Sequence, residues 1–94
     1  MLFRSYMYSY LVEFFGSLFY IFVALTTGNP LAIGVSYILA ILLTQNISGG
    51  YVNPIMTIVM AASGNLASSE VFPYCLAQIF GGLVALEIYK RIKI

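Results

Sequence analysis

The sequence has no histidine, no tryptophan and no aspartate, and only a single cysteine. Without histidine, and with Cys75 standing alone, no ordinary transition-metal site can be assembled and no internal disulfide can close. Acid–base and nucleophilic chemistry lose their usual groups too, because the only carboxylate side chains are Glu13, Glu70 and Glu87, far apart along the chain. We therefore expect no enzyme and no cofactor, and read Cys75 as a small packing residue.

Charge is the next scarcity. Only 7% of the 94 residues are charged and 62% are hydrophobic, whereas soluble domains carry roughly a quarter charged residues. So few charges cannot cover a water-soluble surface, and the partner this composition implies is the lipid bilayer: an integral, multi-pass membrane protein. A net charge of +1 without a basic cluster excludes nucleic acid. Basic residues sit at the ends, Arg4 in front and Lys90, Arg91 and Lys93 behind. Arg4 before an apolar stretch has the outline of a secretory signal, but Glu13 interrupts it and the run outlasts a typical signal core, so the segment reads as a retained span.

Hydrophobic runs divide the chain as a single membrane domain. A helix over about 6–27 is long enough to cross the hydrocarbon at about 1.5 Å per residue. Asn29 caps and Pro30 starts a second helix, over about 31–47. A third runs over about 70–89, with Ser68 or Ser69 as its cap and Pro73 tolerated in its first turn. Tyr6, Tyr8, Tyr10 and Tyr74 fall towards one interface and Tyr89 towards the other, the pattern of an aromatic belt.

Between the second and third helices lies SGGYVNPIMT, Ser48 to Thr57, within a segment of about 48–64 that is too short to span. Pro54 to Ser63 makes a helix of half the bilayer thickness, and Ser48 to Val52 as extended chain travels a similar distance. The pair fits a re-entrant loop that turns at Asn53-Pro54. Irregular backbone at that depth needs burial in protein or a water-filled cavity. The glycines let the strand pack closely and leave its carbonyls as acceptors, Asn53 caps the half-helix and aims its positive dipole at the midplane, and Gly64-Asn65 ends it. Glu13 lies within the first helix, where an ionisable group costs about 2.5–3.5 kcal/mol on insertion scales and needs buried partners; it either meets the loop N–H groups or lies near an interface.

VEFFGSLFYIFVAL (Val12 to Leu25), PLAIG (Pro30 to Gly34), ISGGYVNPIMT (Ile47 to Thr57) and YCLAQIFGGLVAL (Tyr74 to Leu86) follow in the order and spacing of the first half of an aquaporin or glycerol facilitator. The chain resembles that family along nearly its whole length. The resemblance implies an all-α membrane protein of three transmembrane helices plus one re-entrant half-helix, one inverted repeat of the aquaporin fold. It implies a passive channel for water or a small neutral solute, with Asn53 as the pore amide and Gly49 and Gly50 offering carbonyls to the permeant. Pro54 would start the half-helix and touch the other half. Glu13 and Gln78 would be the buried pair holding the loop. Three positions depart from the family pattern. Ile55 stands in place of alanine where the half-helices meet, Tyr51 in place of the usual histidine, and Ile33 in place of an aromatic often found in water-selective members, which implies a wider or more apolar constriction.

One such stretch occurs here where the family has two, so we expect a partner: a homo-oligomer, in its sharpest form an antiparallel dimer of half-aquaporins inserted both ways, or a complementary half-channel encoded separately. The even spread of terminal charge, about +2 at each end with the chain termini counted, is compatible with both insertions. Small residues at helical spacing, Gly16 on the first helix, Ala77, Gly81 and Ala85 on the third, and Ala32, Ser36, Ala40 and Thr44 on the second, mark packing faces within the chain or between chains. The alternative function is a non-conducting aquaporin-like subunit that docks on full-length channels or has a structural role.

Overall fold

A computed structural model describes the backbone of residues 2–92 and the side chains of 6–92; the Arg4 side chain and Lys93, which enter the charge argument, lie outside the described residues. The described residues form helices and connections, with no strand. Helix α1 runs Leu2–Thr27 and helix α2 Pro30–Thr44. Helix α3 covers Pro54–Ala62, and a 3-10 turn at Ser68–Glu70 leads into helix α4, Val71–Ile92.

Two segments are long and apolar enough to cross a bilayer: Tyr6–Thr27, 22 residues, and Ser68–Ile92, 25 residues. At about 1.5 Å per residue each exceeds the ~30 Å hydrocarbon core. Only 17% and 22% of their most apolar windows are buried within the fold, so neither is the enclosed core helix of a soluble domain. Large apolar side chains instead point outward, among them Phe15, Leu31, Leu43 and Phe72, the last three more than 70% exposed. The molecule measures 40 × 24 × 19 Å, and its long axis matches a bilayer with part of its headgroup layers.

Asparagine and proline set the starts of the two shorter helices. Asn29 Oδ1 accepts from the N–H groups of Leu31 (2.9 Å) and Ala32 (3.0 Å) while Pro30, with no N–H to satisfy, occupies the first helical position. The same device recurs at Asn53-Pro54. Helix α2 ends at Thr44, not at about 47. There the Thr44 carbonyl accepts turn bonds from Ile47 and Ser48, both at 2.9 Å, and the chain folds back against its own helix. Gly50 makes that reversal possible. It has φ +69°, and a Cβ on it would lie 3.1 Å from both the Gln45 Cα and the Ile41 carbonyl oxygen.

Helix α1 is the centre of the packing, against α4 most extensively and α2 next, with α3 resting on α4. Small residues let the backbones close. A Cβ on Gly81 would overlap the Phe14 carbonyl oxygen, and Ala85, one turn on, is fully enclosed. Gly16 leaves a notch in α1 for a side chain from the loop between α2 and α3: a Cβ there would lie 2.7 Å from Val52 Cγ1. Ser36, Ala40 and Thr44 form the buried face of α2, and Ala77 is half-buried on α4. Gly16, with Thr44 and Ala40 beside it, and Gly81 meet neighbours within this one chain.

Candidate functional site

The loop from Ile47 to Asn53 lies between helices α2 and α3, and a polar stripe on α1 bonds its backbone. Ser9, Glu13, Gly16, Ser17 and Tyr20 share one helical face at spacings of three and four residues. Glu13 is wholly buried. Its Oε1 accepts from the Val52 N–H (2.8 Å) and from Gln78 Nε2 (2.7 Å), and its Oε2 from the Ser48 hydroxyl (2.6 Å) and the Tyr51 N–H (3.2 Å). Four donors on one enclosed carboxyl group are the compensation that burial of such a group requires.

Gln78 extends the network to the short helix. Its Nε2 also donates to Thr57 Oγ1 (2.7 Å), and Thr57, itself fully buried, donates to the Asn53 carbonyl (2.9 Å). One amide on α4 therefore ties α1 to α3. The amide orientation is dictated by its neighbours, because reversing it would turn an oxygen towards the carboxyl group. Gln78 Oε1 is then left buried without a partner among the described residues. It borders a recess of about 260 Å3 between α1 and α4, beside Ser17, Tyr20 and Pro54.

Hydroxyl groups take most of the loop carbonyls. Ser9 donates to Ile47 (3.2 Å), Tyr74 to Ser48 (2.8 Å), Tyr37 to Tyr51 (3.2 Å) and Tyr20 to Val52 (2.9 Å), with Ser17 a longer second donor to Val52 (3.4 Å). Among the described residues no donor reaches the carbonyls of Gly49 and Gly50. Gly49 is exposed and Gly50 buried. Val52 is the strained point. A β-branched residue at φ +39° is a genuine outlier, of the order of 1–3 kcal/mol. It persists because its N–H, its carbonyl and its side chain in the Gly16 notch are all held.

That strained residue delivers Asn53. The Asn53 Oδ1 accepts from the N–H groups of Ile55 (2.8 Å) and Met56 (3.3 Å), so its Nδ2 points away from the helix it caps. Ile55, 73% exposed, stands beside it, and Pro54 is half-exposed. Tyr51 is buried, its ring stacked over Gly49 and 5.9 Å from that of Tyr74. Ile33 is half-buried in the first turns of α2, at the Pro30 end and away from the loop in sequence.

Tyr74 corrects its assignment to the interfacial belt. It is 3% exposed and its hydroxyl serves the loop, because a tyrosine one turn from Gln78 shares its inward face. Tyr10 also turns inward: its hydroxyl donates to Glu70 Oε1 at 2.6 Å, and Glu70 is buried. The sequence gives no expectation of these roles for Glu70, Ser9, Ser17, Tyr20 or Tyr37, and for Tyr74 only the belt. The signal that finds the α1 members is their shared spacing with Glu13.

An apolar helical protein with two segments long enough to cross a bilayer, and with its polar groups gathered on one internal loop, has the make-up of a helical membrane protein. The chain belongs to the major intrinsic protein family, whose family model matches residues 3–93. It is 35% identical over 93 residues to glycerol uptake facilitator protein-like 6 of Lactiplantibacillus plantarum, an alignment covering 89% of this chain and 43% of the relative. It is 38% identical over 61 residues to aquaporin Z of Photorhabdus laumondii, covering 65% of this chain and 26% of the relative. Aquaporin-8 of Notomys alexis is 31% identical over 102 residues, 97% of this chain and 39% of the relative. The chain thus spans less than half the length of each of these relatives. No solved structure matches it.

Proposed function

We propose that this chain forms one half of an aquaporin-like passive channel for water or a small neutral solute. In this reading α1, α2 and α4 cross the membrane, and the loop with α3 enters to the midplane and returns on the same side. The observation that carries it is the Asn53 amide. The strained Val52 and the Glu13 network hold it, and Oδ1 is spent on the helix cap, so Nδ2 remains to donate to a passing oxygen. A wholly structural span would have no use for so many polar groups placed in oil.

The exposed apolar surface around Asn53, with Ile55, Ile58 and Val59 each more than half exposed, supports completion of the pore by a second Asn-Pro half-helix. A second copy inserted in the opposite sense supplies one, and so does a complementary half-channel. The second reading, a non-conducting docking or structural subunit, is favoured by the bulk of Ile55 beside the amide. Osmotic shrinkage of reconstituted liposomes, followed by stopped-flow light scattering, separates the two. The channel reading expects shrinkage faster than in protein-free liposomes, altered by Asn53→Asp, which keeps the cap and replaces the amide. Shrinkage at the lipid rate for water, and for glycerol as solute, would refute it.

A further inference from the structure

We infer that Tyr20 and Tyr37 are a selectivity-determining pair, which closes the two loop carbonyls next to Asn53 to the permeant and leaves that of the exposed Gly49 as its acceptor. The inference rests on the channel reading and adds residues to which that reading gives no role. Its ground is the accounting of the loop. From Ile47 to Val52 each carbonyl accepts a hydroxyl proton except those of Gly49 and Gly50, among the described residues. The two tyrosines are on different helices, α1 and α2, yet their rings meet edge to face at 4.8 Å. Their hydroxyls land on consecutive carbonyls, Tyr51 and Val52.

Each ring is only half-buried, and Tyr20 also borders the open recess beside Pro54 and Gln78. The pair therefore stands at the turn where the half-helix begins. A solute moving along the loop would hydrogen-bond at Gly49, then meet an aromatic wall whose hydroxyl protons are already committed, then reach the Asn53 amide. Such a wall favours water, which needs few acceptors at once, over a polyol, which must replace several lost hydrogen bonds together.

The test is stopped-flow water and glycerol permeability of liposomes carrying the full chain as wild type, Tyr20→Phe, Tyr37→Phe and the double variant. Tyr8→Phe is the control, since Tyr8 is an exposed side chain on the outer face of α1. Phenylalanine keeps the rings and frees the carbonyls. The glycerol-to-water ratio is expected to rise about fivefold in the double variant, the factor equivalent to one net hydrogen bond, and to stay unchanged in the control. A double variant that conducts where the wild type does not also supports the pair. A wild type that conducts with an unchanged ratio in the double variant overturns the pair alone. If nothing conducts, the channel reading falls and takes the pair with it.

A second arm uses the wild type alone and so does not depend on any variant folding. With single 13C-carbonyl labels at Gly49, Gly50, Tyr51 and Val52, the infrared band of the exposed Gly49 is expected to shift when a dried membrane film is hydrated, while those of Tyr51 and Val52 hold still. Equal shifts at all four positions would overturn the inference.

Discussion

Replacing Glu13 is the most informative perturbation of this fold, because alanine and glutamine there separate the loss of the whole acceptor set from the loss of one acceptor. Glu13→Ala leaves four donors without an acceptor in a fully enclosed site: Ser48 Oγ, Gln78 Nε2 and the N–H groups of Tyr51 and Val52. Hydrogen bonds between membrane helices average about 0.6 kcal/mol, while a buried donor left unpaired costs about 1–3 kcal/mol. The full loss is therefore at least about 2.5 kcal/mol, and larger if the backbone amides stay dry. Glu13→Gln keeps the shape and one acceptor. Its amide nitrogen cannot take the Oε1 place, which faces two donors, Val52 N–H at 2.8 Å and Gln78 Nε2 at 2.7 Å. At the Oε2 place it can donate to the Ser48 hydroxyl, leaving the Tyr51 N–H unpaired at a cost of about 1–3 kcal/mol. The assay is equilibrium unfolding in mixed micelles, with hydrogen exchange at Tyr51 and Val52. The alanine variant should lose more stability than the glutamine variant, and exchange in the glutamine variant should accelerate at Tyr51 and not at Val52. Equal losses for both, or acceleration at Val52 first, would refute the reasoning.

Three further outcomes follow from single contacts. Tyr10→Phe removes the donor to the buried Glu70 and should destabilise by about 1–3 kcal/mol in the same unfolding assay, whereas Tyr8→Phe on the exposed face should stay within about 0.5 kcal/mol. Gly81→Ala places a methyl against the Phe14 carbonyl oxygen and should cost about 1–3 kcal/mol by forcing α1 and α4 apart; an alanine variant as stable as the wild type would contradict that contact. Asn53→Ala removes the acceptor for Ile55 and Met56 and should cost about 1 kcal/mol, read as faster hydrogen exchange of those two amides, while Asn53→Asp retains their protection.

The parts of this molecule that were legible in its sequence are those where one residue type has few physical options. An ionisable side chain inside an apolar helix must be partnered, which singles out Glu13, and the structure puts Gln78 Nε2 at 2.7 Å from it. Asn-Pro at a break between apolar runs is a cap followed by a first helical turn, and both Asn29-Pro30 and Asn53-Pro54 take that form. Tyrosine has more options, which is why its roles were missed. An amphipathic ring suits an interface, a core with a hydroxyl partner or a pore wall equally well. Composition alone cannot distinguish the exposed Tyr8 from Tyr74, whose hydroxyl reaches the Ser48 carbonyl from another helix. The end of α2 was also beyond reach, since Gln45-Asn46-Ile47 carries no breaker. Helix α2 stops early because of glycines further on, at a contact between Gly50 and Gln45 that exists only once the loop has folded back.

The central claim is that solute passes beside Asn53 and Ile55. The most direct test is to place the chain's single thiol there, as Ile55→Cys in a Cys75→Ser background, and to follow osmotic shrinkage of liposomes before and after labelling with a bulky thiol reagent. Ile55 is 73% exposed, so labelling can be driven to completion and checked by mass. The account requires shrinkage above the protein-free rate that falls towards it on labelling. Fully labelled protein that shrinks at an unchanged rate, or protein that never exceeds the lipid rate, would contradict it.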